Sequence, residues 1–221
     1  MGILQIPDKK YIIKILLLNA LILIVISTVS GFMLLTHSHA YYLKSFYVNS
    51  NYNLPRWFGT ILQFVGAVLA YLISLQYKKR EKNRLFWKLL SMIFIFLSIA
   101  KSTYIDEFLF GLVRKELGIL LFPINSLVFG ALLVLLFLIV FSRFYLSLDN
   151  IVRKAIFLSA VIYIVLGLFF EAAGKIIFHT NFLIIILSGL EELCEMTGSI
   201  IFIYALLLQL DLMSKKKQVI Q

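Results

Sequence analysis

Cysteine and charge are both scarce in this chain, and each shortage excludes a class of protein. The single cysteine, Cys194, excludes an internal disulfide and any cysteine-based zinc site. Charged residues make up 14% of the 221 residues, against about a quarter in soluble domains. Hydrophobic residues reach 62% and lie in long runs, so lipid is predicted to be the solvent for much of the surface. We therefore expect a single transmembrane domain over residues 1–221.

Motifs of the common hydrolases and nucleotide-binding enzymes are also missing from the sequence. It contains no Gly-x-Ser-x-Gly, no His-Glu-x-x-His and no phosphate-binding glycine loop. An enzyme would have to work through carboxylates, alone or with a bound metal, and the sequence favours a protein that is not an enzyme. The net charge of +10 is no sign of nucleic-acid binding, because the basic residues cluster at the ends of the apolar runs.

Apolar stretches of about 20 residues predict six transmembrane helices. They cover approximately residues 15–36, 57–77, 89–106, 124–142, 155–172 and 182–210. The apolar run that follows Lys14 is longer than the apolar core of a secretory signal peptide, so it is interpreted as a span. Residues 108–122 are predicted to form an interfacial or re-entrant helix. The predicted fold class is an all-α, polytopic membrane helix bundle.

The distribution of lysine and arginine predicts the orientation. Six spans place both termini on one side, together with the 78–88 and 143–154 loops, and most basic residues fall on that side. The positive-inside rule then puts both termini in the cytoplasm of a multi-pass protein of the plasma (inner) membrane. The expected partners are the lipid bilayer, anionic lipid at the basic cytoplasmic loops, and further copies of the chain in a homo-oligomer.

Carboxylates are concentrated toward the outer side, which the positive-inside rule does not explain because acids contribute little to topology. Of the eleven acidic residues, the outer side or the outer half of a span holds Asp106, Glu107, Glu116, Glu171, Glu191, Glu192 and Glu195. The sixth span shows this concentration of acidic residues most clearly. Ser188, Glu192, Glu195 and Ser199 recur at helical spacing, with Glu191 on the flank of the stripe.

The depth of these acids requires a polar environment. At 1.5 Å per residue, Glu195 is predicted to lie about 15 Å inside the outer boundary, near the midplane. An ionised side chain at that depth costs about 2.5–3.5 kcal/mol on insertion scales. We therefore expect Glu192 and Glu195 to face the interior of the bundle or water, or to be partly protonated.

Matching polar faces occur in two other spans. In the fifth, small or polar residues recur every four positions up to Glu171, and in the third, serines recur likewise up to Asp106, with Lys101 beside them. If these spans meet the sixth, the carboxylates converge in a cavity open to the outside, and Lys101 is a candidate counter-ion. The second span carries a small, weakly polar face suited to close packing, formed by Gln63, Ala67, Ala70 and Ser74.

The favoured function is cation or proton binding linked to transport or conduction. Its candidate residues are Glu192 and Glu195 at the centre, with Glu191 on the flank, Glu171 and Asp106 nearer the mouth and Lys101 as counter-ion. Carboxylates in a water-filled bundle bind cations or relay protons. The alternatives are a non-catalytic membrane subunit, an assembly or pore-forming effector protein, and a polar network that fixes helix packing.

A metal-dependent intramembrane enzyme is the third class. Divalent cations take oxygen ligands from carboxylates on facing helices, so a divalent cation is the cofactor to consider. Three histidines on the outer side, His37, His39 and His179, could complete such a site. No metal-ligand spacing links them to the acids, so the sequence gives this class less support.

Overall fold

The computed structural model describes residues 8–37, 41–78, 81–103, 124–176 and 181–220. Over these residues the chain is all-helical and contains no strand, as predicted. Besides a short 3-10 turn at Tyr41–Ser45, these described residues form six helices: α1 Lys9–Thr36, α2 Leu54–Gln76, α3 Lys82–Thr103, α4 Ile124–Leu146, α5, which joins Asn150–Ala160, Val161–Leu166 and Gly167–Ile176, and α6 Asn181–Ile220.

Five of the six described helices are long and apolar enough to cross a membrane. These are α1, α2, α3, α5 and α6; in α4 the shorter segment Val134–Leu146 is apolar. Five of the predicted spans thus coincide with helices of membrane-crossing length, and the crossing itself, by these five and by α4, stays a prediction. The helix predicted at residues 108–122 lies outside the described part of the chain.

The helices extend beyond the apolar runs from which the spans were predicted. Helix α3 begins at Lys82 rather than 89, α5 begins at Asn150 rather than 155, and α6 continues to Ile220 rather than stopping at 210. The added segments are rich in lysine and arginine, which favour helix and whose long stems reach along apolar surface toward water. The spans predicted from apolar runs were therefore shorter than the helices.

Helices α2 and α6 form the centre of the bundle. Helix α6 packs against α1, α2 and α5, and α2 also packs against α3. The predicted packing face of α2 is buried along its length, with Gln63, Ala67, Ala70 and Ser74 all inaccessible or nearly so. Small side chains on this face let the neighbouring helices approach closely.

The start of α2 is fixed by the segment that follows α1. Asn53 is fully buried and caps α2, accepting a hydrogen bond from the backbone N–H of Arg56 at 2.8 Å. Its side-chain amide also donates to the carbonyls of Val48 and Ser50 at 2.7 and 2.6 Å. Ser27 of α1 accepts a bond from the Val48 N–H at 2.9 Å. The turn is thereby tied to both helices that it connects.

The first and last helices meet at the opposite end of the bundle. Lys9 Nζ lies 2.6 Å from Asp211 Oδ2, and Lys215 Nζ lies 3.4 Å from the same oxygen. The beginning of α1 is therefore beside the late part of α6. This neighbourhood agrees with the expectation that both termini share one side of the membrane, and which side that is stays a prediction.

Helix α5 contains a π-helical stretch, Val161–Leu166, where it crosses α6. Gly198 of α6 makes the crossing close: a Cβ at this position would lie 2.6 Å from Tyr163 Cβ and 2.9 Å from its backbone. Ser159 donates a hydrogen bond to the Gly198 carbonyl at 2.7 Å. Single π turns inside α-helices occur frequently at functional sites.

We predict that Gly198→Ala destabilises the protein, because its methyl group would overlap backbone atoms that cannot move aside cheaply. Overpacking of this kind costs about 1–3 kcal/mol. The measurement is the thermal unfolding midpoint in detergent. Gly174→Ala is the matched control in the same helix pair, since its Cβ would lie at an ordinary 4.0 Å from Leu187 Cβ. Equal midpoints for the two variants would contradict the close crossing.

Candidate functional site

A buried ammonium lies between two carboxylates inside the bundle. Lys101 of α3 is only 9% exposed, and its Nζ is 2.7 Å from Glu192 Oε1 and 2.5 Å from Glu195 Oε2, both on α6. The contact with Glu195 is a directed hydrogen bond, whereas that with Glu192 is an ion pair without hydrogen-bond direction. We call Lys101, Glu192 and Glu195 the Lys101 cluster.

The two carboxylates differ in accessibility. Glu192 and Glu195 are three residues apart and so share one face of α6. The Glu192 side chain is 11% exposed and that of Glu195 is 27% exposed. Ions removed from water cost several kcal/mol each unless they are paired, and the ammonium offsets part of that cost for both acids. Of the two, Glu195 is the carboxylate that solvent reaches more easily.

Helix α2 leaves room for the ion pair because residue 59 is glycine. A Cβ on Gly59 would lie 2.9 Å from both Cε and Nζ of Lys101 and 3.0 Å from Glu192 Oε1. Any side chain at this position would occupy the space that the ammonium needs. A glycine in the middle of a helix costs up to about 1 kcal/mol relative to alanine, and here it permits a buried charge pair.

Two hydrogen bonds hold α3 against α2 beside the cluster. Arg56 Nε donates to the Lys101 carbonyl at 2.6 Å, and Ser98 Oγ donates to the Thr60 carbonyl at 3.1 Å. The guanidinium brings a second positive charge close to Glu192, which lowers the cost of burying that carboxylate. The backbone of Lys101 is thus fixed independently of its side chain.

Helix α5 completes the site with Tyr163, which lies in the π-helical stretch. Gln63 Nε2 of α2 donates to the Tyr163 hydroxyl at 2.7 Å. One turn further along α5, a Cβ on Gly167 would lie 3.9 Å from Glu195 Cγ. Tyr163 and Glu195 are also close enough to interact electrostatically. Residues of α2, α3, α5 and α6 therefore converge on one polar region.

The structure brings together some of the predicted site residues. Lys101 contacts both Glu192 and Glu195, where the sequence suggested one partner. Glu191 directly precedes Glu192 on α6 and is partly buried. Glu171 lies two turns beyond Tyr163 on α5 and is also partly buried. Asp106 lies outside the described residues. That this set binds an ion stays a prediction.

The histidines give no metal centre in the described part of the chain. His37 is exposed at the end of α1, with its Nδ1 2.7 Å from the Thr36 hydroxyl. His39 and His179 lie outside the described residues. Among residues 8–37, 41–78, 81–103, 124–176 and 181–220, no three His, Cys, Asp or Glu side chains are grouped so as to hold a metal ion.

The contribution of α2 was underestimated from sequence. Gln63 was assigned to a packing face, and neither Arg56 nor Gly59 was connected with the acids. A usable signal was present, since Arg56, Thr60 and Gln63 are spaced by four and three residues and therefore lie on one helical face. Tyr163 was recognised only as part of a repeating polar pattern, because no sequence rule indicated the π turn that presents it.

A small hollow opens near the cluster, at the end of α2 where the helix begins. It is lined by Tyr52, Arg56, Trp57, Thr60 and Ser102. Arg56, which lines the hollow, also donates to the Lys101 carbonyl, so the hollow lies beside the backbone of Lys101. Tyr52, on its rim, has a backbone φ of 57°, a conformation that is uncommon for a residue other than glycine.

Fold and site together define a class: a helical bundle that has, in its described part, five helices of membrane-crossing length around a buried lysine–dicarboxylate cluster. The family model of a domain of unknown function, DUF8692, matches residues 15–210, and the chain belongs to that family. No curated protein and no solved structure matches the chain. Functional inference therefore depends on the geometry of the site.

We predict that Lys101→Met strongly destabilises the protein, because it leaves two buried carboxylates without their ammonium. Removing one member of a buried ion pair typically costs about 3–5 kcal/mol. The triple variant Lys101→Met/Glu192→Gln/Glu195→Gln should recover much of that loss, since no buried charge remains unpaired. Thermal unfolding midpoints check this. A triple variant no more stable than Lys101→Met would show that the charges do not account for the loss.

A second substitution tests whether the ion pair needs the space beside Gly59. Gly59→Ala should push the Lys101 ammonium away from Glu192 and lower the unfolding midpoint by several degrees. Gly66→Ala, two turns along α2, is the control, because its Cβ would meet ring carbons of Phe94 and Phe202 at an ordinary 3.4 Å. The interpretation fails if Gly59→Ala is as stable as the control.

Proposed function

We propose that this is a multi-pass protein of the plasma (inner) membrane, with both termini in the cytoplasm, whose Lys101 cluster binds and releases protons in linkage with transport. The observation that carries the proposal is the position of the Lys101 ammonium between Glu192 and Glu195, at 2.7 and 2.5 Å. Ionisable residues within membrane spans are rare, costly and usually part of an ion or proton pathway.

The geometry favours a proton over a metal cation. Two carboxylates on one helix face could hold a cation between them, but the Lys101 ammonium already occupies that place. A cation would have to displace the ammonium and leave it buried without a partner, which is costly. A proton needs no such space, because it binds to a carboxylate oxygen directly.

Glu195 is the group proposed to exchange the proton. It is the more exposed of the two acids, whereas Glu192 lies deeper, against Gly59 and Lys101. When Glu195 takes a proton from water it becomes a neutral carboxylic acid, and the ammonium keeps Glu192 as its ionic partner. When the proton leaves to water, the three-group ion pair forms again.

This exchange would change how the helices hold each other. The ionised cluster joins α3 to α6 through two ion pairs, and protonation of Glu195 leaves one. Helix packing and proton binding are therefore linked, because a state of the bundle that separates Lys101 from Glu195 removes an interaction that only the ionised acid makes. Such a linkage is what a proton-coupled carrier requires.

The surroundings of the Lys101 cluster favour access of water from one end of the bundle. The hollow lined by Arg56, Thr60 and Ser102 lies at the end of α2 where the helix begins, and Arg56 links it to the Lys101 backbone. Two turns further along α2, the rings of Phe94 and Phe202 stack with centroids 4.4 Å apart and pack on Gly66. This aromatic pair is an apolar contact between α3 and α6 beyond the cluster, which supports a carrier more than an open channel.

We expect purified protein in liposomes to carry a proton flux above that of protein-free liposomes, and Glu195→Gln to reduce it at least tenfold. The measurement uses an entrapped pH-sensitive dye and an imposed pH gradient. Asp211→Asn is the matched control, because Asp211 is ion-paired with Lys9 at the opposite end of the bundle. Its flux should equal that of the wild type.

Unfolding midpoints of the same variants separate function from packing. If Glu195→Gln lowers the midpoint while the flux is unchanged, the cluster is a structural network and the proposal is wrong. A wild-type flux no greater than that of empty liposomes also contradicts it. Loss of flux in Glu195→Gln with a normal midpoint is the result that supports proton handling.

A further inference from the structure

Helix α1 carries an exposed carboxamide inside its apolar run. Asn19 lies five residues beyond Lys14, which is about 7.5 Å along the helix. Its side chain is exposed and makes no hydrogen bond to another described residue. Every other exposed carboxamide or charged side chain that the structure describes on helices α1–α6 lies within six residues of a helix end. Asn19 is therefore exceptional among the described surface of the helices.

A carboxamide in this place needs a hydrogen-bonding partner if α1 crosses a membrane. Hydrocarbon offers neither donors nor acceptors, so an amide that faces lipid loses the hydrogen bonds it would make to water. The neighbouring exposed positions Leu18, Leu21 and Ile22 are all apolar and avoid that cost. A polar residue at position 19 therefore favours contact with a polar group of another protein molecule.

Asn19 belongs to a continuous strip of exposed residues along α1. Two sets of residues with a spacing of seven form this strip, and they are offset from each other by four positions. Its members, all exposed, are Ile15, Asn19, Ile22, Ile26, Val29 and Met33, which we call the Asn19 seam. The residues that α1 buries, among them Ala20, Ile24, Ser27 and Gly31, lie on the other side of the helix. The seam is thus turned away from α6, the main neighbour of α1.

The partner that fits this seam is the same seam of a second copy. Its alternating three- and four-residue spacing is that of a coiled coil, where a single asparagine at a seam position fixes the register. Copies of one chain enter a membrane in the same orientation, so two copies pair with their α1 helices parallel and Asn19 meets Asn19 at equal depth. A carboxamide both donates and accepts, so two of them satisfy each other. No lysine of α1 occupies a seam position, so the pairing places no like charges there.

We propose that α1 is the interface of a symmetric dimer in which the Asn19 seams of two copies pack together. At its centre, Asn19 Nδ2 of one copy donates a hydrogen bond to Asn19 Oδ1 of the other. The inference uses the membrane location proposed above and does not depend on proton exchange. The Lys101 cluster lies on α3 and α6, so each copy of the dimer retains a complete site.

Association of the full-length protein in liposomes provides the test. Energy transfer between copies with donor and acceptor tags is followed as the ratio of protein to lipid is lowered. Asn19→Leu should raise the dissociation constant of the dimer roughly threefold to thirtyfold, the range expected for a polar contact between membrane helices. A wild type that stays monomeric at every ratio overturns the inference, and so does an unchanged dissociation constant in Asn19→Leu.

Asn19→Gln separates the hydrogen bond from a change of shape. It retains the carboxamide and should associate more tightly than Asn19→Leu, and equal weakening in the two variants overturns the role of the amide pair. Because Asn19 is exposed in each copy, both variants should keep the thermal unfolding midpoint of the monomer, which is measured in detergent at high dilution.

Disulfide crosslinking in membranes locates the interface independently. With Cys194→Ala as background, Ile22→Cys places a thiol on the seam. Leu21→Cys is the matched control, because Leu21 is the adjacent residue, 51% exposed against 46% for Ile22, and points to a different side of α1. Oxidation with copper phenanthroline and oxygen should link most Ile22→Cys chains into dimers and leave Leu21→Cys mainly monomeric. Equal crosslinking of the two variants overturns the inference, whatever the proton flux.

Discussion

The ammonium of Lys101, held between Glu192 and Glu195, is the interaction on which the rest of the site depends. Three charged groups are withdrawn from water in a bundle that is apolar almost throughout, and each would be costly alone. Their mutual pairing makes the burial tolerable and at the same time joins α3 to α6. Two neighbouring features support this pairing. Residue 59 is a glycine, which leaves space for the ammonium. The Arg56 guanidinium adds positive charge and donates a hydrogen bond to the Lys101 backbone.

Helix α2 is the element that organises these features. One of its faces supplies the glycine beside the ion pair, the amide that contacts Tyr163, and, further along, the small residues that pack closely on neighbouring helices. The polar part of that face lies toward the beginning of the helix, near the hollow, and the apolar part lies beyond it. A single helix thus forms both the wall of the site and the packed layer behind it. Such an arrangement suits a site that is reached from one side of the bundle.

Membership of a family of unknown function leaves chemistry as the guide to activity. A cluster with more acidic than basic side chains, one acid of which is more accessible than the other, is suited to taking up and releasing a proton. Uptake of a proton would remove one of the two ion pairs that join α3 to α6, and this property would couple a chemical event to helix packing.

The sequence by itself determined the helical class and the approximate position of the apolar helices, because long apolar runs leave a chain few other structures in lipid. It also indicated Glu192 and Glu195, since charges three residues apart within an apolar run must share a helix face. Only the tertiary structure decided that Lys101 contacts both acids, that Gly59 makes room for it, and that a π turn in α5 presents Tyr163. These depend on which helices are neighbours and how closely they cross. Local periodicity carries no information about that, because it describes one helix at a time.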